Sequence, residues 1–439
     1  MAFYICSNCG YGSATFLGKC PECGEWNTLK QQQGFSDDSK KKKTNPQDLN
    51  VKSFEEVIAK HDKRRHPTGI HEFDRVLGGG IPSDGVILLT GEPGIGKSTL
   101  LLQALSKQNA LYISGEESAE QIKERIDRLK MPHENLMFSD TLQVESIIEG
   151  FESLKSKPNV LVVDSIQMLY SRGVESMTGS VSQLRETILQ LVQFAKKNHV
   201  ALILIGHITK EGDVAGPKIV EHMVDTVLSF EGDKISHFRI LRATKNRFGS
   251  TDEIGIFEMK GEGLSEVTNP LAFVSPGDND ASSDNTPTTG RAVAGVIEGK
   301  RPLFFEIQSL TVHTSLPVPR RVARGVEYNK LLLLLAVMKR HMRIDTDTYD
   351  IYVNVAGGVD VKSPASDLAI LASLISSIKD KPIPKSAVFV GEVGLLGEVR
   401  SAYSEDKILA ESKRIGLTKY VNSKNLKKHC RNLLSLFGS

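Results

Sequence analysis

The sequence predicts an α/β protein: a parallel sheet covered by helices, with a small metal-bound module before it and a second α/β domain after it. Three observations carry this. An apolar run, Gly85-Val-Ile-Leu-Leu-Thr90, leads into the glycine-rich Gly91-Glu-Pro-Gly-Ile-Gly-Lys97-Ser98-Thr99 and then into a helical pattern, Leu100-Leu-Leu-Gln-Ala-Leu-Ser. From Val51 to about Asn269 apolar strands alternate with amphipathic helices, the signature of a parallel sheet. Four cysteines stand near the N-terminus as two C-x-x-C pairs.

Cys6, Cys9, Cys20 and Cys23 have the spacing of a tetrahedral Zn²⁺ site, with a glycine after each pair to relieve the turn. The alternative is disulfides, which a phosphate-loop protein of a reducing compartment disfavours. Residues 1–29 are too short to hold a core, so the metal supplies most of their folding energy. Four thiolates close the coordination shell, which makes the ion structural. Cys430 stands alone and is read as a packing residue.

Residues 30–50 are polar, lack periodicity and read as a flexible linker. Their four lysines at 40–43 read as a solvated run, with DNA phosphate contact as the alternative. Residues 51–272 form the core domain. Its expected strands are Val86–Thr90, Ala110–Ser114, Val160–Asp164, Ala201–Gly206, Val227–Phe230 and Phe238–Ala243. Expected helices are the one after the loop, Ser118–Leu129, Val144–Ser153 and Ser182–Asn198. Residues 273–290, rich in turn formers, are a second linker. Residues 291–439 mix strands at Leu303–Gln308, Ile351–Val355 and Ala387–Gly391 with helices at Asn329–His341, Ser366–Ser377 and Lys407–Ile415.

Strand, glycine loop and helix is the setting a phosphate-binding loop requires. Gly94 and Gly96 let successive backbone N–H groups face phosphate oxygens, and the helix start adds partial positive charge. Lys97 reaches the β- and γ-phosphates and the Ser98 hydroxyl ligates Mg²⁺. Gly91, Glu92, Pro93, Ile95 and Thr99 complete a loop for a nucleoside triphosphate.

Hydrolysis needs a second acid at the metal and a base for water. Asp164, after the apolar Val-Leu-Val-Val, supplies the first. Either Glu116 or Glu117 can serve as base; Glu117 also suits the N-terminus of the following helix, so Glu116 is favoured. Lys245 and Arg247, at a strand end, are either charge stabilisers for a γ-phosphate or surface charge on a hairpin.

The net charge of +2 over 439 residues leaves nucleic-acid contact to local basic patches. The longest apolar run, 331–337, cannot cross a bilayer. The N-terminus lacks the basic start and long apolar core of a signal peptide. The expectation is a cytoplasmic protein with no membrane partner.

The cysteine knuckle, the phosphate loop, Ser-Gly-Glu-Glu-Ser, Val-Val-Asp-Ser and Lys-Asn-Arg-Phe-Gly, in this order, resemble the bacterial RadA (Sms) family of DNA-repair proteins. The resemblance runs from Met1 to nearly the C-terminus. It implies a RecA-like P-loop ATPase core in a homo-hexameric ring, related to DnaB-type helicases. Lys245 and Arg247 would then reach a neighbour's ATP, and His207 would sense the γ-phosphate. Segments 167–186, with Arg172, and 209–220, with Lys210 and Lys218, would contact DNA. A RecA-type recombinase is the implied protein partner.

The last domain resembles the Lon protease domain (S5-type) in Val353-Asn-Val-Ala-Gly-Gly358, Lys362–Leu371 and residues 391–399. Lon proteases need a Ser–Lys dyad. Ala365 stands where the serine would follow Pro364, and Ser366 and Lys407 fall out of register. The resemblance therefore implies a scaffold rather than a protease. The function expected is a DNA-dependent ATPase that moves on single-stranded and branched DNA and drives branch migration. An ATP-switched binding module without translocation is the alternative.

Overall fold

The computed structural model describes residues 3–6, 12–13, 15–21, 24–32, 64–207, 220–232, 237–268 and 288–438. Cys9, Cys23, Lys210 and Lys218 lie outside these residues, as do the lysines at 40–43. The chain divides into two compact units. The first runs to Phe230 and includes Ala243–Ser250; the second holds Glu231–Arg242 and the chain from Thr251 onward.

At the N-terminus three short antiparallel strands pair in the order β2-β1-β3: β1 (Phe3–Cys6), β2 (Gly12–Ser13) and β3 (Leu29–Gln32). Cys6 sits opposite Leu29, and both are buried with Cys20. Gly24 takes φ 72°, and its N–H donates to the Cys20 carbonyl at 2.9 Å, closing a turn around that cysteine.

In the first unit β4 (Arg65–His66), helix α1 (His71–Leu77) and β5 (Ile81–Pro82) precede β6 (Val86–Gly91). Every residue of β6 is buried, as a strand covered on both faces requires. Helix α2 (Lys97–Leu105) follows the loop, and then come β7 (Ala110–Ser114), α3 (Ala119–Leu129) and β8 (Leu136–Ser139). Helix α4 (Val144–Ser153), β9 (Val160–Asp164), α5 (Val181–Asn198), β10 (Ala201–His207) and β11 (Thr226–Glu231) complete the series. Among the described residues the parallel strands run β11-β6-β10-β9-β7-β8. The phosphate loop leaves β6, the strand next to the edge of this series. Leu184, Ile188, Leu191 and Phe194 of α5 and Phe151 of α4 pack on the sheet residues Leu88, Leu161 and Leu204.

The chain after β11 departs from the expected alternation. No helix separates β12 (Phe238–Asn246), β13 (Ile254–Lys260) and β14 (Gly263–Glu266), which pair as an antiparallel ribbon. The alternating burial of β12 is the mark of such a ribbon, in contrast to the uniformly apolar parallel strands. Edge strand β8 was also not expected; its four residues are only half buried, which blunts the apolar signal.

In the second unit β15 (Arg291–Glu298), β16 (Arg301–His313), β17 (Arg321–Arg324), β18 (Tyr349–Val355), β19 (Ala387–Val390) and, further on, β20 (Glu392–Val393), β21 (Val399–Arg400) and β22 (Lys419–Asn422) are interspersed with helices. Six of them make a mixed sheet in the order β17-β18-β16-β15-β19-β22. The helices are α6 (Tyr328–Val337), α7 (Asp367–Lys379) and α8 (Glu405–Arg414). Leu368, Leu371, Leu374 and Ile375 of α7 form the core with Phe304, Ile307 and Phe389. Ser366 is buried and its hydroxyl donates to the Ser363 carbonyl at 2.8 Å, while Lys407 is exposed on α8.

Leu191→Ala should open the face of the sheet that α5 covers, at a cost of about 2–5 kcal/mol. Amide exchange along β10 is then expected to accelerate at least about thirtyfold. Unchanged exchange would mean that α5 does not hold this sheet.

Candidate phosphate and metal site

Parallel register decides which side chains meet. It sets Gly91 opposite His207 on β10, and Ser114 on β7 opposite Asp164 on β9. All four positions lie at the C-terminal ends of their strands, where open α/β sheets bind ligands.

The loop has the backbone that its glycines permit. Gly94 adopts φ 77° and Gly96 φ 111°, both in the region L side chains avoid. Gly96 caps α2 without a side-chain hydrogen bond, so the helix opens with its backbone N–H groups free of a capping oxygen. That is an anion-binding helix start. Lys97 is only 4% exposed. Its Nζ donates to the Gly91 carbonyl at 2.9 Å, to the Glu92 carbonyl at 3.0 Å and to His207 Nδ1 at 3.1 Å. Burial lowers its pKa to about 8, against the raising effect of Asp164 and Glu116.

An ammonium has only donors, so His207 Nδ1 accepts. The other ring nitrogen, Nε2, therefore carries the proton and donates to Glu116 Oε1 at 3.0 Å. Ser165 Oγ donates to the same carboxylate oxygen at 2.5 Å. Glu116 thus belongs to the lysine's network through one imidazole. Glu117 does not: Arg125, nearly two turns into α3, holds its carboxylate at 2.5 Å, and the Ser114 hydroxyl accepts from its backbone N–H at 3.0 Å. The two adjacent glutamates are separated by what each faces.

Asp164, 6% exposed, accepts on Oδ2 from Ser98 Oγ at 2.6 Å and from the Tyr112 hydroxyl at 2.6 Å. A hydroxyl against a carboxylate is the oxygen donor set that Mg²⁺ takes beside phosphates. The residues fit both groups: a bound Mg²⁺ would offset phosphate charge between Ser98 and Asp164, with Lys97 on the phosphates.

Lys245 and Arg247 are placed elsewhere. Lys245 Nζ donates to the carbonyls of Glu221 at 2.7 Å and Val224 at 2.8 Å. Burial, then the neighbouring Arg247, lowers its pKa. Arg247, 62% exposed, reaches Asp225 Oδ1 at 3.3 Å. Asp225 immediately precedes β11 and its Oδ2 accepts from the Val86 N–H at 3.2 Å, at the start of β6. These cations therefore occupy the N-terminal edge of the parallel strands, one strand length from Gly91 and roughly 17 Å away at 3.3 Å per residue. Arg172 is exposed and donates to Gln143 Oε1 at 2.8 Å.

Two members of the site were missed in the sequence, Tyr112 and Ser165. The signals available were a hydroxyl on the otherwise aliphatic Ala110–Ile113 and a serine directly after the acid.

A family model described as a rubredoxin metal binding domain matches residues 4–31, and one described as a family of unknown function (DUF7125) matches residues 65–254. Nearly the whole chain is similar to the DNA repair protein RadA of Aquifex aeolicus, at 44% identity over 96% of this chain and 93% of that protein. The DNA repair protein RadA of Bacillus subtilis is 42% identical over 95% of this chain and 91% of its own. That of Escherichia coli is 40% identical over 99% and 95%. Among solved structures, the RadB recombinase aligns with 46% of this chain and 98% of its own at 22% identity and a TM-score of 0.38. No helix among the described residues is long and apolar enough to cross a membrane.

Phosphate binding should carry the titration of Lys97. The protein with a charged lysine binds; above pH 8 that form is depleted, so ATP affinity falls as pH rises. Between pH 7 and pH 9 the affinity, read by titration with a fluorescent ATP analogue, should drop by about tenfold. Equal affinity at both values would remove Lys97 from the phosphate contact.

Proposed function

The chain belongs to the RadA family of bacterial DNA-repair proteins, and from that premise we propose that it is a DNA-dependent ATPase of recombinational repair. The observation that carries the reading is the separation of two clusters on one sheet. Lys97, Ser98, Asp164, Glu116 and His207 stand at one edge, and Lys245 and Arg247 at the other. Cations on the far edge cannot serve the nucleotide of their own chain, but they can serve that of a neighbour stacked on that edge. A closed ring of identical subunits satisfies every site in this way.

In the proposed reaction Gly91, Glu92, Pro93, Gly94, Ile95 and Gly96 cradle the phosphates with their backbone, and Lys97 neutralises them. Ser98 and Asp164 would hold Mg²⁺, and Thr99 belongs to the same nucleotide-binding loop. Glu116 accepts the proton of the attacking water, oriented by His207 and Ser165. His207 links that base to Lys97, so a change at the γ-phosphate reaches Glu116 through one ring. Lys245 and Arg247 stabilise developing charge across the subunit boundary. The ring is a homo-hexamer that moves on single-stranded DNA and drives branch migration of intermediates made by a RecA-type recombinase. Arg172, Lys210 and Lys218 contact the DNA. Cys6, Cys9, Cys20 and Cys23 bind a structural Zn²⁺.

The domain limits proposed are 1–29, 51–272 and 291–439, joined by linkers at 30–50 and 273–290. The last domain is Lon-like without a dyad and acts as a scaffold. The protein works in the cytoplasm.

Mixing tests the shared site. Lys97→Ala chains lack the phosphate contact and Arg247→Ala chains lack the trans cation, so each alone is expected to turn over little ATP. Mixed rings contain some sites with both groups intact and should recover partial turnover. Absence of recovery at every ratio, in rings shown to be mixed, would overturn the trans assignment.

A further inference from the structure

The hydroxyl of Tyr112 is a deeply buried polar group that the reaction above does not use. The residue is 1% exposed on β7. A phenol in such a place needs a hydrogen-bond partner, and its partner here is Asp164 Oδ2 at 2.6 Å. The strand grips Asp164 a second time, because the Gly115 N–H donates to the Asp164 carbonyl at 2.8 Å. Ser98 Oγ shares Oδ2, also at 2.6 Å.

The two donors differ in kind. Ser98 is a short side chain whose hydroxyl oxygen must also serve a cation. Tyr112 has a rigid ring fixed in the core, and its hydroxyl has only Asp164 and the neighbouring Ser98 to bond.

We propose that Tyr112 is a positioning residue for a divalent cation: its hydroxyl holds the Asp164 carboxylate in place while Ser98 turns its oxygen to the ion. This rests on the reading of Ser98 and Asp164 as the residues that hold Mg²⁺. Partners of metal-binding groups typically change metal affinity by about 10- to 100-fold when lost. A hydrogen bond to a charged group corresponds to about the same range.

The test is Tyr112→Phe in the full chain, which keeps the ring in the core. A fluorescent ATP analogue is titrated in EDTA and again over a series of MgCl₂ concentrations, and Mn²⁺ binding is followed by electron paramagnetic resonance. Expected are wild-type nucleotide affinity in EDTA, about a tenfold higher Mg²⁺ concentration for half-maximal effect, and Mn²⁺ weakened to match. Equal loss with and without metal would overturn the inference, because a merely structural tyrosine would weaken both. Wild-type metal dependence in Tyr112→Phe, alongside its loss in Ser98→Ala, would also overturn it while leaving the metal site intact. Wild-type metal dependence in Ser98→Ala as well would sink the site and the inference together.

Discussion

A cation buried to 4% exposure among aliphatic strands has to be compensated, and the first unit is arranged around that requirement at Lys97. Two loop carbonyls and one imidazole nitrogen take its three donors. Two carboxylates, Asp164 and Glu116, favour the charged form while burial opposes it, and burial wins by enough to bring the pKa to about 8. The ammonium is thus kept charged near neutrality yet is not strongly stabilised. Such a group gains most from phosphate, which supplies the missing anionic partner. The imidazole that completes its shell also bonds Glu116, so in the proposed reaction phosphate binding and water activation would share one residue.

The opposite edge of the sheet has the inverse arrangement. There the buried group is an anion, Asp225, held by the Val86 N–H at 3.2 Å and by Lys196 at 3.1 Å. Arg247 leans on it from outside, and its backbone N–H donates to the Asp225 carbonyl at 3.1 Å. Lys245 ties the same corner to the carbonyls of Glu221 and Val224. A buried cation at one end and a buried anion at the other give a single sheet two chemically different edges. The same strands that connect them, β6 and β11, run in parallel register between Gly91 and Asp225. In the proposed ring, that polarity would let one subunit present cations where its neighbour presents phosphates.

Much of the first unit was legible in the sequence. Strands 110–114 and 160–164 and helix 144–153 stand where apolar runs and helical periodicity put them, because parallel strands buried on both faces carry a strong signal. Lys97, Ser98 and Asp164 are brought together as their types and spacing suggest. What the sequence could not convey was pairing at a distance. Glu116 and Glu117 differ only in their partners, His207 lying 91 residues from the one and Arg125 eight residues from the other. Tyr112 reads as one more buried apolar residue until β9 is placed beside β7. Within the ribbon from Phe238 to Glu266 the strand Phe238–Ala243 was read, but its antiparallel partners β13 and β14 were missed because the ribbon's alternation continues directly from a parallel series. In the second unit β15 was missed, since its apolar residues follow the polar stretch at 273–290 without a break.

The most direct measurement is ATP turnover with and without single-stranded DNA, for the wild type beside Lys245→Ala. The account predicts that DNA raises the wild-type rate and that the substitution abolishes the rise, since the cation couples one subunit's DNA-bound state to the next subunit's phosphate. Turnover that ignores DNA in the wild type would contradict the account, and would leave a phosphate site whose hydrolysis switches binding rather than driving movement.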